Sequence, residues 1–158
     1  MILGLDLSIA CTGWSIVDGT VVLAYGKIVT KNLKTKNIQQ RLKYITLEIN
    51  SIVREFSPSM VVIEDVYHGV NVKTVAILNR LNGAVVATIP DNIRVEVVNA
   101  SHARMIVLGK GKKHDKKEIF TWAVKKYKLR KFKFDKDNDI TDAILLAEWG
   151  IYCLTHAE

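Results

Sequence analysis

The chain has 158 residues, 49% of them apolar and 25% charged, with nine Gly and two Pro. This profile fits one folded domain over 1–158 and excludes collagen-like, low-complexity and linker proteins. The longest uncharged run, Leu7 to Val17, is far short of the roughly 18 residues that a membrane span needs, and an acid at position 6 precedes any leader-like segment, so a cytoplasmic protein without a membrane partner is expected. Cys11 and Cys153 lack CxxC spacing and read as small buried hydrophobes, not as a disulfide framework or zinc site.

Residues 2–7, 12–18 and 21–29 are rich in β-branched side chains, and Asp18-Gly19 between the last two signals a hairpin. Ile38, Leu42, Ile45, Ile49, Ile52 and Phe56 alternate intervals of four and three, which predicts an amphipathic helix ending before Pro58. Met60 to Glu64 is an apolar run closed by an acid, the pattern of a buried central strand that opens onto a site. The segment 71–88 has the length of a helix but is apolar on more than one side, through Val72, Val75, Ile77, Leu81 and Val85. In so small a chain the second apolar side predicts a homodimer through this helix.

Arg94 to Val98 reads as a fifth strand and Ser101 to Val107 as a short helix. The basic loop Gly109-Lys110-Gly111-Lys112-Lys113 then leads to Asp115-x-x-Glu118, a capping-box start to a helix through Tyr127. Ile140, Ile144, Ala147, Ile151 and Leu154 mark a last helix, with Asp139 and Asp142 at its beginning. The order predicts an α/β fold with a mixed five-stranded sheet flanked by helices, antiparallel at the hairpin and parallel across the helical crossovers.

The formal charge of +7 is not spread evenly. Residues 104–133 hold twelve Lys and Arg against only Asp115 and Glu118, leaving the remainder of the chain slightly acidic. A basic surface of this density predicts a polyanionic partner, nucleic acid foremost, with Arg104, Lys110, Lys112, Lys113, Lys116 and Lys117 as candidate contacts. Phe120 and Trp122 fall on a helix and are expected to pack inward. The four His are scattered and take no role.

Four acids stand out by context. Asp6 interrupts an apolar first strand, Glu64 closes a buried one, and Asp139 with Asp142 share a helix face at i, i+3. Each alone has an ordinary explanation as a turn former, an N-cap or a first-turn acid. Brought together, four carboxylates repel one another and call for a cation. All-oxygen ligation selects Mg2+ or Mn2+, and beside a basic surface it suits phosphodiester hydrolysis by two ions.

Leu3-Gly4-Leu5-Asp6 with Thr12-Gly13-Trp14, Val62-Ile63-Glu64-Asp65-Val66-Tyr67 leading to Asn71-Val72-Lys73-Thr74, and Asp139-x-x-Asp142-Ala143 together resemble the RuvC family of Holliday-junction resolvases. The resemblance runs in order over nearly the whole chain. It implies an RNase H-like fold, a homodimer through the 71–88 helix, and Mg2+-dependent nicking of paired strands at a four-way DNA junction. Asp6, Glu64, Asp139 and Asp142 would then be the metal ligands, with Asp6 shared between two ions. Tyr67 matches an aromatic that stacks or wedges at the junction in the family; its other reading is a partly buried aromatic after a strand. Arg104 and one of Lys116 or Lys117 match basic positions that contact phosphate.

The sequence departs from the family at Leu7-Ser8, where bacterial members carry Pro-Gly after the first acid. The lysine-rich 110–117 region suggests a divergent, phage-borne member acting on branched DNA more broadly. Two rival readings stay open: an RNase H-like nuclease of structured RNA, and a basic nucleic-acid-binding protein whose acids are caps and turns. An actin-like ATPase needs far more chain for its two lobes.

Overall fold

The computed structural model describes residues 1–34, 37–66, 71–109 and 115–156. Within them the chain runs β1 (Ile2–Asp6), β2 (Cys11–Asp18), β3 (Val21–Val29), α1 (Ile38–Phe56), β4 (Met60–Glu64), α2 (Val72–Val86), β5 (Arg94–Val98), α3 (Ala100–Leu108), α4 (Lys116–Tyr127) and α5 (Phe134–Thr155). The strands form one mixed sheet in the order β3-β2-β1-β4-β5, as the element pattern predicts. Pairing is antiparallel from β3 to β1 and parallel from β1 to β5. Gly19 takes φ 54° in the β2–β3 turn, a conformation that glycine adopts without steric cost.

Alternation along the strands sorts the apolar residues into two cores. Leu3, Leu5, Val61 and Ile63 pack with Ile45 and Ile49 of α1 and with Leu81 and Val85 of α2. Ile2, Met60 and Val62 pack on the opposite face with Ala103 of α3, Ile119 of α4 and Leu145 of α5. The period of two therefore assigns Gly4 and Asp6 to the face of Ile2, and Glu64 to that of Met60 and Val62. Both acids belong to the side of the sheet that α5 covers.

Two glycines bring α5 down onto that face. A Cβ on Gly4 would lie 2.0 Å from the carbonyl oxygen of Ala143, and one on Gly13 would lie 2.1 Å from that of Asp139. The α5 backbone thus rests directly on β1 and β2, and it is buried without interruption from Ile140 to Ala147.

The start of α5 corrects the sequence reading. The helix begins at Phe134, so Asp139 and Asp142 lie inside it and are neither cap nor first-turn residues. Lys133 occupies the cap position without a side-chain cap bond, and its backbone N–H instead donates to Asp137 at 2.8 Å. Phe134 packs edge-on against Phe120 of α4 at 5.6 Å, which anchors the early turn. The polar run from Asp135 to Asn138 carries no apolar period that could have announced it.

Two further expectations shift. Cys11, at the start of β2, and Cys153, in the last turns of α5, are half-buried, because both sit where an element leaves the core. In α2 only Leu81 and Val85 are buried; Val72 is 82% and Val86 38% exposed, so the described chain covers one flank of this helix and leaves the other outward.

Candidate active site

The register places the first two acids side by side. Leu5 lies opposite Ile63 across the parallel β1–β4 pair, so Asp6 and Glu64 end adjacent strands at the same level, about 4.8 Å apart in the sheet. Gly13 is paired with Asp6 and lies against the backbone of Asp139. Asp142 follows one helical turn later, on the same face of α5. Sheet pairing and two missing side chains thus gather four carboxylates drawn from three elements.

Asp142 is 5% exposed. Its Oδ2 accepts from the Lys116 ammonium at 3.1 Å, while its Oδ1 is buried with no hydrogen-bond partner among the described residues. Lys116 also reaches Asn138 Oδ1 at 3.5 Å. The charges act on one another throughout the group. Burial holds the Asp6 carboxyl well above the ordinary range, and the charges of Asp142, Glu64 and Asp139 push it further, against a partial pull from Lys116. Glu64 is raised by burial and by Asp142, with Arg104 and Lys116 opposing. Asp142 is raised by burial despite Lys116 and Arg104. Lys116 in turn is held above its usual value by Asp142, Asp6 and Asp139, which outweigh its own desolvation.

Among the described residues no three Asp, Glu, His or Cys side chains are arranged to hold a metal ion as they stand. Their chemistry nevertheless fits one. The donors are all carboxylate oxygens, one of them has no hydrogen-bond partner among the described residues, and an ammonium already occupies part of the space between them. A hard divalent cation answers each of these features.

Of the predicted basic contacts, Arg104 on α3 and Lys116 at the start of α4 act directly on the carboxylates. Of the two lysines, Lys116 is the one that lies beside the carboxylates. Lys117 instead lines a separate hollow of about 560 Å³ with Val107, Leu108 and Trp122, which contains none of the four acids. Tyr67, Lys110, Lys112 and Lys113 lie outside the described residues.

Sequence reasoning missed three contributors. Thr74, Leu78 and Asn82 line a cavity of about 170 Å³ together with Asp6, Glu64 and Asp65. Their i, i+4, i+8 spacing was the available signal, a mixed polar stripe within an otherwise apolar helix. Arg41 was the second: its Nη2 donates to the Ile9 carbonyl at 2.8 Å and its Nε to Thr30 Oγ1 at 2.9 Å. With Thr12 Oγ1 donating to the Ser8 carbonyl at 2.8 Å, it fixes the Leu7–Ala10 loop that follows Asp6. Cys11 was the third, its thiol raised chiefly by burial and further by Asp139.

Comparison with known proteins bears on the chain as a whole. The family model described as crossover junction endodeoxyribonuclease RuvC matches residues 2–148. Among similar relatives, the crossover junction endodeoxyribonuclease RuvC of Alkaliphilus oremlandii is 32% identical over 93% of this chain and 90% of its own length. That of Dictyoglomus thermophilum is 26% identical over 96% of both chains. Among solved structures, T. thermophilus RuvC in complex with a Holliday junction substrate superposes with a TM-score of 0.80 at 14% identity, covering 98% of this chain and 94% of that one. The yeast mitochondrial Holliday junction resolvase gives a TM-score of 0.65 at 16% identity, over 98% of this chain and 80% of that one. The sheet order and flanking helices are thus those of the RNase H-like resolvases, and the chain belongs to the RuvC family of crossover junction endodeoxyribonucleases.

Proposed function

We propose that this chain resolves four-way DNA junctions as a homodimer, each copy hydrolysing one phosphodiester bond with Mg2+, for which Mn2+ can substitute. The observation that carries this reading is the buried Asp142 gathered with Asp6, Glu64 and Asp139, with one carboxylate oxygen unpartnered among the described residues and the cations of Arg104 and Lys116 at hand. Asp6, Glu64, Asp139 and Asp142 would hold the ions. Bound there, a divalent ion supplies Lewis-acid stabilisation of the phosphoryl oxygens and activation of water. Lys116 favours the ionised form of Asp142 against the effect of burial, and its half-exposed ammonium can also meet a phosphate oxygen. Arg104 supplies a second, always-charged donor for the same anion. The outward flank of α2, with Val72 and Val86 exposed, supports pairing with a second copy.

Cleavage of an end-labelled synthetic four-way junction, beside matched duplex and single strand, by the wild type and Asp6→Asn with Mg2+ or EDTA, tests this reading. Paired metal-dependent nicks near the crossover, lost in the variant while junction binding persists, are expected. Tight binding without cleavage of the junction, followed by cleavage of structured RNA, would transfer the activity to RNA. Sedimentation at micromolar concentration tests the dimer, and a monomer would refute it.

A further inference from the structure

Lys116 holds a place among the carboxylates that a divalent ion would contest. Its ammonium lies 3.1 Å from Asp142 Oδ2 and 3.5 Å from Asn138 Oδ1, and its charge also acts on Asp6, Glu64 and Asp139. The two oxygens of Asp142 differ: Oδ2 has the lysine, whereas Oδ1 is buried with no hydrogen-bond partner among the described residues. Around the ammonium, no three described acids are arranged to hold an ion as they stand. An ion drawn to Asp142 therefore meets a cation already in contact with that carboxylate. Repulsion between an ammonium and a divalent ion at such range is strong, and a site this buried screens it poorly.

The side chain can leave while its helix stays. Lys116 is the first residue of α4, which Asp115 caps by accepting from the Glu118 N–H at 2.8 Å. Ile119 and Ala123 bury the helix in the fold, and Phe120 packs on Phe134 of α5. The backbone is thus fixed, whereas the side chain is 53% exposed and ends a long, flexible stem. Lys117 carries the same charge one residue along but lines the separate hollow.

We propose that Lys116 is a tethered counter-ion that a divalent ion displaces from Asp142, freeing the ammonium for a phosphate of the substrate. The proposal rests on the metal-dependent junction-cleaving reading above. Its consequence is coupling. Metal and DNA each favour the other's binding by the same factor, because one ammonium passes between carboxylate and phosphate. The plainer role is a fixed ion pair that stays on Oδ2 while an ion takes Oδ1, and it gives no such exchange.

Acetylation by dilute acetic anhydride, read residue by residue by mass spectrometry, reports where the ammonium sits. The full-length wild type is labelled with EDTA, with Ca2+, and with Ca2+ plus a four-way junction, Ca2+ being a hard cation that takes carboxylate oxygens. Relative to Lys117, Lys116 should label slowly with EDTA, roughly five-fold faster with Ca2+, and slowly again once the junction is added. In calorimetry without DNA, Lys116→Gln should bind Ca2+ about five-fold more tightly than the wild type or Lys117→Gln. The gain in junction affinity on adding Ca2+ at constant ionic strength should shrink by a similar factor in Lys116→Gln. Labelling of Lys116 that bound Ca2+ leaves unchanged overturns the proposal, as does equal Ca2+ affinity of the two variants. The labelling arm uses wild-type protein alone and so decides the question even if Lys116→Gln fails to fold. A protein that binds no Ca2+ overturns this proposal and the metal reading together. A wild type that shows the exchange yet cuts no junction in Mg2+ would count against the proposed function alone.

Discussion

Replacing Gly13 with Ala probes the seat of α5 directly. The new methyl would stand 2.1 Å from the Asp139 carbonyl oxygen and 2.5 Å from its carbon. Ordinary contact requires an opening of about 1 Å or more. The strand cannot retreat, because Gly13 is paired with Asp6 on one side and Lys27 on the other. The helix must therefore lift, at a cost of about 1 to 3 kcal/mol. Asp139 moves with it, and a displacement of about 1 Å at a reacting centre costs on the order of 100-fold in rate. The assay is single-turnover cleavage of a four-way junction well below the melting temperature, with junction affinity measured in parallel. Ile52→Ala is the matched control. It removes a side chain 8% exposed on α1, across the sheet from the acids, costs about 2 kcal/mol or more, and should leave the cleavage rate within a few-fold. If Gly13→Ala lost stability yet cut as fast as the control, the glycine contact would not be what positions Asp139.

Three other outcomes follow from the geometry. Asp6, Glu64 and Asp142 are all raised by burial and mutual repulsion, so the native state holds their protons more tightly than the unfolded chain does. The metal-free protein should therefore lose stability as pH rises from the ordinary carboxylate range through these raised values. Near neutral pH both Mg2+ and Asp6→Asn should raise the melting temperature in differential scanning fluorimetry; a melt indifferent to both would refute the repulsion. Lys116→Gln should lower the metal-free melting temperature by the equivalent of about 1 kcal/mol, the half-exposed lysine being partly screened, whereas Lys117→Gln should leave it unchanged. Equal effects from the two lysines would contradict the assignment to Lys116. Arg41→Ala removes one hydrogen bond to the loop after Asp6 and one to Thr30, and should cost about 1 to 3 kcal/mol in urea denaturation, with a slower cut at undiminished junction affinity.

The sheet and its two acids were readable because strand signals are local. The Asp18-Gly19 turn set the hairpin, the apolar run to Glu64 marked a central strand, and a carboxylate ending each strand pointed to a shared edge. The beginning of α5 was not readable, since Lys133 is no capping residue and the capping acceptor, Asp137, lies four residues downstream. Nor could the sequence choose between Lys116 and Lys117. Consecutive positions on a helix face different ways, and which one meets Asp142 depends on how α4 rotates against α5.

By itself the sequence determined the element order, the mixed sheet, the concentration of positive charge and the four acids singled out by their context. Each is written in short-range patterns of side-chain type, turn chemistry and periodicity. Only the tertiary structure decided that Asp139 and Asp142 reach Asp6, that Lys116 is the lysine among them, and that Arg41 ties down the loop beside them. Those outcomes depend on close approach between elements distant along the chain. Gly4 and Gly13 permit that approach by what they lack, and an absent side chain acquires meaning only when another backbone arrives against it.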